Sequence, residues 1–172
     1  MHIVIDGYNL IRQSSHLADL DSKDLQAGRE ALVDALAAYK KIKAFSITVV
    51  FDGTAAPPGM PRRDRIKGIE LCFSRPGESA DAVIKRMARN QREKLLVVSS
   101  DREIADYAAA QGAGIIKADE FEQRIMMARL LETKGTSENE ASAGWIPTTK
   151  KSGPARRLPK RQRRMRRKIS KL

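Results

Sequence analysis

Short apolar runs alternate with longer amphipathic stretches along the first 131 residues of the chain. The runs are too short for typical helices, and most are rich in β-branched residues, which is characteristic of buried strands. Turn-forming residues bound them, among them Asp52-Gly53 after the second run and Arg75-Pro76-Gly77 after the third. The pattern predicts five strands, at residues 2–5, 46–51, 69–73, 95–99 and 115–118.

Between these runs, apolar residues recur at helical spacing with charged residues between them. Strands separated by helices of this length form βαβ units, so the sequence predicts an α/β fold whose mainly parallel sheet is covered on both faces. The step from residue 51 to residue 69 lacks a clear helical pattern and is expected to be an irregular crossover. The predicted helices span residues 24–43, 79–92, 102–111 and 121–131.

Positive charge is concentrated at the end of the chain. Twelve of the 33 lysines and arginines lie in residues 148–172, which contain no acid, so the other residues hold 21 bases and 21 acids. Such a block repels itself and cannot bury apolar area, so we expect it to be disordered alone and to bind a polyanion such as RNA. A solubilising tail, or an address read by another factor, is the alternative. The predicted organisation is a domain at 1–134, a linker at 135–147 and a basic tail at 148–172.

Composition excludes several classes of protein. The chain has one cysteine and two histidines, too few for a disulfide framework or a zinc cluster. No stretch approaches the roughly 20 apolar residues needed to cross a bilayer, and the first residues do not resemble a signal peptide. We therefore expect a cytoplasmic protein that does not engage a membrane. Neither a Walker A sequence nor a G-x-S-x-G elbow is present.

Four acids are predicted at one edge of the sheet. In an open parallel sheet, ligands bind outside the carboxyl ends of the strands. Asp6 follows the first predicted strand, Asp52 follows the second, and Asp101 comes shortly after the fourth. Asp81 lies in the first turn of the helix that follows the third strand. We therefore expect these four carboxylates to lie close together.

Taken singly, each acid also has a structural interpretation. Asp6-Gly7 and Asp52-Gly53 are ordinary turn dipeptides, and Asp81 and Asp101 are acids in first helical turns. Together, however, crowded carboxylates repel one another and need a compensating charge. Arg102 is the one basic residue that adjoins them in the sequence, whereas a divalent cation could balance all four. Mg²⁺ prefers a few carboxylate oxygens and takes further ligands from water and phosphate.

Several short motifs, in their residues and in their order along the chain, resemble those of a known family. IDGYNLI at 5–11, VVFDG at 49–53, GESAD at 77–81 and VVSSD at 97–101 are similar to the motifs of YacP-like NYN domains, which belong to the PIN-like nucleases. The similarity spans about residues 1–132. It implies a three-layer α/β/α Rossmann-like (PIN-like) fold, cleavage of RNA, and a divalent metal, Mg²⁺ or Mn²⁺.

The resemblance also implies roles for individual residues. Asp6, Asp81 and Asp101 would be the metal-binding catalytic acids, and Asp52 a further acid at the same edge. Asn9 would join the catalytic group, orienting ligands or phosphate with support from Ser100. Glu78 matches a second acid of the GESAD motif, in a supporting role. In-line attack by metal-activated water would leave a 5′-phosphate and a 3′-hydroxyl.

The function predicted from these observations is a metal-dependent endoribonuclease, with RNA as its partner. The alternative is a non-catalytic module that binds RNA or a ribonucleoprotein such as the ribosome. Oligomeric state is left open by the sequence. Candidate RNA-binding cations lie after Asp52, in the Asp81 helix and in the tail: Arg62, Arg63, Arg65, Lys67, Lys85, Arg156, Arg157, Arg161, Arg163, Arg164, Arg166 and Arg167.

Overall fold

The protein, described by a computed structural model at residues 1–56, 59, 61–134, 160–170 and 172, is built on a six-stranded sheet with the order β3-β4-β2-β1-β5-β6. All neighbouring strands are parallel except the edge pair β3–β4. The strands are β1 (His2–Asp6), β2 (Ser46–Phe51), β3 (Arg63–Ile66), β4 (Ile69–Phe73), β5 (Leu95–Val98) and β6 (Gly114–Ile116).

Helices cover both faces of this sheet, which confirms the predicted three-layer α/β/α fold. One apolar cluster joins one face to α1, α2, α3 and α6, and a second joins the other face to α4 and α5. No described helix has both the length and the apolar character required to span a bilayer. The helices are α1 (Gly7–Gln13), α2 (Ser15–Lys23), α3 (Leu25–Ile42), α4 (Ala80–Gln91), α5 (Arg102–Ala110), α6 (Ala118–Lys134) and α7 (Lys160–Ile169).

Two parts of the domain differ from the predicted elements. Helices α1 and α2 occupy residues 7–23, where no helix is predicted, and α1 begins directly after Asp6, which caps it. The segment after Asp52 contains β3, which pairs antiparallel with β4 in place of an irregular crossover. The sequence RDRI of β3 has little apolar character because this strand lies at the edge of the sheet.

The end of the basic tail is ordered and docked on the domain. Residues 160–169 form α7, and Leu172 is buried in the main apolar cluster with Ile169 packed beside it. The Tyr39 hydroxyl donates to the Leu172 carbonyl at 2.9 Å, and Arg124 Nη1 donates to the Ile169 carbonyl at 2.8 Å. This stretch therefore differs from the expected free tail, because apolar residues at its end pack into the core. Residues 135–159 lie outside the described part of the chain.

Candidate active site at the carboxyl edge of the sheet

The acid-bearing segments converge on the carboxyl ends of the central strands. Asp6 ends β1, which pairs with β2 on one side and β5 on the other. Asp52 follows β2 and Asp101 follows β5, so the strands leading to the three acids are neighbours about 4.8 Å apart. Asp81 lies in the first turn of α4.

Asp6 is the most perturbed of these acids. Its Oδ1 accepts a hydrogen bond from the Asn9 backbone N–H at 3.2 Å, and its Oδ2 accepts one from the Ser99 hydroxyl at 3.3 Å. Burial nevertheless raises its pKa from 3.8 to about 6, and the negative charges of Asp81 and Asp101 add to that increase. Asp81 and Asp101 therefore each interact electrostatically with Asp6.

Asp101 is held by the start of α5 but remains exposed to solvent. Its Oδ1 accepts the backbone N–H groups of Glu103 at 2.7 Å and Ile104 at 3.2 Å, which makes Asp101 the N-cap of α5. Its own N–H donates to the Ser99 hydroxyl at 3.1 Å. Ser99 thus connects Asp6 and Asp101, a role not predicted from the sequence although Ser99 lies within the VVSSD motif.

Asn9 and Ser100 fix the turn that follows β5. Asn9 Oδ1 accepts the Ser100 backbone N–H at 2.8 Å, which ties α1 to that turn. The Ser100 hydroxyl accepts the Ala118 backbone N–H at 3.1 Å, which ties the turn to α6. The two residues predicted to orient ligands therefore position the backbone around Asp101, and direct contact with a ligand stays a prediction.

Asp52 has a different environment from Asp6. Its Oδ1 accepts hydrogen bonds from the Thr54 hydroxyl at 2.7 Å and the Thr54 N–H at 2.9 Å. These bonds, the hydroxyl foremost, lower the pKa of Asp52, and the Ala80 N–H contributes in the same direction. Asp52 thus holds the turn after β2 and connects it to the start of α4.

Glu78 is also engaged in the local structure. It forms an ion pair with Arg86, and its Oε2 accepts the Arg75 N–H at 3.4 Å. The hydrogen bond from Arg86 lowers the pKa of Glu78. The side chain predicted to support the site therefore closes the loop that leads into α4.

A lysine lies among the acids. Lys85 follows Asp81 by one helical turn, and its ammonium group forms an ion pair with Glu103. The negative charges of Asp81 and Asp101 also act on it. These acids raise the pKa of Lys85, the hydrogen bond to Glu103 most of all. Arg102, the basic residue next to Asp101 in the sequence, is almost fully exposed and lies 3.8 Å from Asp106. The first residue of α5 thus points towards solvent.

The acids provide oxygen donors, but not a closed metal cage. Among the residues that the structure describes, no group of three or more histidine, cysteine, aspartate or glutamate side chains is close enough to hold one ion. Mg²⁺ commonly uses one or two carboxylates and keeps several waters. The all-oxygen donor set and the repulsion of Asp6 by Asp81 and Asp101 fit such a water-rich site.

The cations predicted after Asp52 do not all lie near this edge. The Arg62 carbonyl accepts the Phe73 N–H at 2.8 Å, which places Arg62 beside the carboxyl end of β4. Strand β3 then runs away from the acids, so Lys67, in the β3–β4 turn, lies at the opposite end of the sheet and pairs with Asp34. The expectation that the whole set approaches the acids is wrong for Lys67, because β3 is antiparallel to β4. Arg63 lies near Arg62, and Arg65 lies between Arg63 and Lys67.

In the tail, the described arginine side chains are exposed on α7, and Arg164 donates to Glu93 Oε2 at 2.7 Å. The predicted RNA contacts of Arg156 and Arg157 lie outside the described residues, and so does the side chain of Arg161. The exposed arginines of α7 are Arg163, Arg164, Arg166 and Arg167.

Comparison with known proteins gives consistent matches. The family model for the YacP-like NYN domain matches residues 3–168, which extends beyond residue 132 and into α7. The protein YacP of Bacillus subtilis strain 168 is 28% identical over 102 residues, which cover 58% of this chain and 59% of that protein. The alignment thus spans less than two thirds of the curated relative.

Solved structures resemble the fold. The crystal structure of Rae1 (YacP) from Bacillus subtilis matches with a TM-score of 0.66 at 24% identity, covering 79% of this chain and 80% of that one. A tryptophan-to-leucine mutant of Rae1 matches with a TM-score of 0.64 at 26% identity, covering 80% of this chain and 84% of that one.

Proposed function

The chain belongs to the YacP-like NYN domain family, and we propose that it is a metal-dependent endoribonuclease that hydrolyses RNA phosphodiester bonds. NYN domains are PIN-like, nuclease-type domains, so the family supports a nuclease-like fold and an RNA-related function. Metal dependence, the choice of RNA and the residues that act are the parts proposed for this chain.

The observation that carries the proposal is the burial of Asp6 beside two other acids. Keeping this half-buried carboxylate ionised at neutral pH is costly, because Asp81 and Asp101 add negative charge to a desolvated group. A site that only stabilised the fold would gain nothing from this arrangement. A bound divalent cation would relieve the repulsion, and it would supply the activation of water and the charge neutralisation that phosphodiester hydrolysis requires.

In the proposed site, Asp6, Asp81 and Asp101 would hold the metal, Mg²⁺ or Mn²⁺, partly through waters that it retains. Ser99 would keep Asp6 and Asp101 in register through its two hydrogen bonds. Addition of water across the P–O3′ bond would give a 5′-phosphate and a 3′-hydroxyl, the water supplying the oxygen on phosphorus and the proton on O3′.

Lys85 is the group best placed to bind the scissile phosphate. Its side chain is 21% exposed and its present partner, Glu103, is 78% exposed, so their ion pair is open to solvent and weak. A phosphate beside Asp81 and Asp101 could therefore take the place of Glu103 at modest cost. Lys85 would then hold a non-bridging oxygen and leave the carboxylates to the metal.

The test is cleavage of single-stranded RNA by the full chain with Mg²⁺, compared with chelator and with Asp6→Asn. We expect product only from the wild type with metal, carrying a 5′-phosphate. A matched control is Asp106→Asn, an exposed acid in the second turn of α5 whose contact is the long pair to Arg102. Equal activity of wild type and Asp6→Asn would contradict the proposal.

The alternative function is a binding module that recognises RNA or a ribonucleoprotein, the ribosome included, without cutting it. The absence of a three-acid group among the described residues, together with the structural bonds of Asp52 and Glu78, favours this alternative. RNA binding without any metal-dependent product, both on free RNA and on RNA presented by ribosomes, would support it.

The basic helix α7 supports an RNA partner of either kind. Its exposed arginines stand on a helix anchored to the domain by Ile169 and Leu172, so they form a fixed cationic surface. Replacing Arg163, Arg166 and Arg167 by glutamine should reduce the slope of log affinity against log salt by up to about 2, at roughly 0.7 per lost phosphate contact on a single strand.

The control for α7 is Lys23→Gln, which removes an exposed cation from the last turn of α2. Its salt dependence should equal that of the wild type. An unchanged slope in the triple variant would show that α7 does not contact RNA.

A further inference from the structure

A cleft of about 220 Å³ lies between α3 and the β3–β4 hairpin. The cleft exists because β3 is a short edge strand that α3 does not fully cover. It is lined by apolar side chains from α3, β3 and β4 and by polar side chains from α3 and from the hairpin turn. The walls are formed by Val33, Ile66, Leu71 and Phe73, and the polar groups belong to Gln26, Arg29, Glu30, Asp34 and Lys67.

Arg29 gives the cleft a fixed, buried polar group. The residue is 6% exposed, its Nη1 donates to the Tyr8 hydroxyl at 3.2 Å, and its Nη2 donates to Gln26 Oε1 at 3.0 Å. Its guanidinium also lies 6.0 Å from the centre of the Phe73 ring. These contacts hold one wall of the cleft rigid, so a ligand would not have to order it.

The charges around the cleft indicate the kind of ligand it suits. Arg29 and Lys67 are balanced by Glu30 and Asp34, and Lys67 is paired with Asp34 across the end farther from the acids. A free phosphate would meet two carboxylates here. A neutral, planar group with both donors and acceptors on its edge fits better, because both kinds of partner are present.

The position of the cleft relates it to the acids. Phe73 ends β4 at the carboxyl edge of the sheet, and β4 is two strands from β1, about 10 Å away. Tyr8, two residues after Asp6, reaches Arg29 through its hydroxyl and packs edge-on against Phe51. Arg62 is exposed beside the end of β4, next to Phe73 of the cleft, where it could contact a backbone phosphate.

We propose that this cleft binds one unpaired base of the RNA strand, a short distance along the strand from the phosphate held at Asp6, Asp81 and Asp101. The inference rests on the proposed RNA substrate and adds a base-binding subsite to it. Apolar side chains contact the faces of the base, and Gln26, Glu30 and Arg29 meet its polar edge. Single-stranded RNA is commonly bound in this way, through splayed bases that enter protein pockets.

The experiment is a scan of RNA binding without divalent metal, in which an abasic site replaces each nucleotide of a short oligomer in turn. For the wild type, we expect one position at which loss of the base weakens binding about tenfold. In Ile66→Trp, which fills the cleft from the edge strand, the intact oligomer should bind about tenfold more weakly, and that position should no longer matter.

Ile42→Trp is the matched control, since Ile42 is an exposed isoleucine near the end of α3 and does not line the cleft. It should keep the dependence seen in the wild type. Gln26→Ala, in the first turn of α3, is a second variant if Ile66→Trp melts at a lower temperature, and it should reduce the dependence in part. A flat scan in the wild type, or the same dependence in Ile66→Trp, would overturn the proposal.

One contrary outcome is a mononucleotide that binds the wild type as tightly as the oligomer does and loses that binding in Ile66→Trp. That result would assign the cleft to a free nucleotide and overturn its role in binding the strand. Because the scan measures binding without metal, its result is independent of cleavage. An active nuclease with a flat scan would retain the proposed function and remove only the subsite. A protein whose RNA binding depends on one base but that does not cleave RNA would keep the subsite and remove the proposed nuclease function.

Discussion

Asp6-Gly7 and Asp52-Gly53 are the same dipeptide at the ends of two adjacent parallel strands, but their carboxylates differ. Both glycines are required by close contacts, since a Cβ on Gly7 would lie 2.3 Å from the Phe51 ring and one on Gly53 would lie 2.1 Å from the Ser74 carbonyl oxygen. Both aspartates cap the short helical segment that follows. The local structure of the two sites is therefore nearly equivalent.

The pKa values of the two acids move in opposite directions. Burial and two acidic neighbours raise the pKa of Asp6 to about 6, whereas hydrogen bonds from Thr54 lower that of Asp52. Asp6 is central in the sheet and faces segments from α4 and the end of β5, while Asp52 is engaged by its own turn. An acid at a strand end thus becomes a candidate for catalysis through its neighbours in space, not through its motif.

The largest expected difference between the two acids is in catalysis. Asp6→Asn should lower RNA cleavage about 100-fold or more, because it removes charge that the reaction uses. Asp52→Asn should lower it only a few-fold, because its amide can still accept the Thr54 bonds. Rates under single-turnover conditions would measure both. Equal losses would show that Asp52 also binds the metal, and would end the distinction between the two sites.

A smaller difference is expected in the pH dependence of stability without metal. A raised carboxyl pKa means that the folded protein binds the proton more tightly than the unfolded chain does. The contribution of Asp6 to the free energy of unfolding therefore falls as pH rises from about 4 to 6 and is constant above that. Asp6→Asn should therefore be more stable than the wild type by about 1–2 kcal/mol at pH 8, and the difference should disappear near pH 4.

Asp52→Asn serves as the comparison, with the opposite sign. Because the pKa of Asp52 is lower in the folded protein than in the unfolded chain, the ionised side chain stabilises the fold at pH values above the unfolded pKa, and this stabilisation is lost as pH falls. Asp52→Asn should therefore be less stable than the wild type at pH 8. Denaturant unfolding at pH 4, 6 and 8 in chelator would measure both variants. If Asp6→Asn were destabilising at pH 8, the electrostatic interpretation of the site would be wrong.

The main architecture could be predicted from the sequence where burial repeats along the chain. Strands β1, β2, β4 and β5 are largely buried on both faces, so each appears as a mostly apolar run within a residue of its true bounds. Strand β3 could not be found in this way, since an edge strand with two exposed arginines has no such run. Helix α1 is short and starts at a capping acid that also looks like a turn residue.

The basic tail contains a pattern of apolar residues that its composition alone does not reveal. Met165, Ile169 and Leu172 recur at helical spacing between the arginines, and Ile169 and Leu172 pack into the core. Net charge alone predicts a free tail, because it ignores where apolar residues lie. The tertiary contact with Tyr39 and Arg124 decides that this stretch is fixed to the domain.

The sequence by itself determined the layered fold, the order of the strands' acids along the chain and the family to which they point. Those properties depend on hydrophobic periodicity and on short sequence motifs, which residues close together in the chain specify. Only the tertiary structure decided which acids repel one another, that Lys85 lies among them, and that a cleft opens beside the edge strand. These depend on distances between segments far apart in sequence, and both Coulomb energy and desolvation are set by those distances.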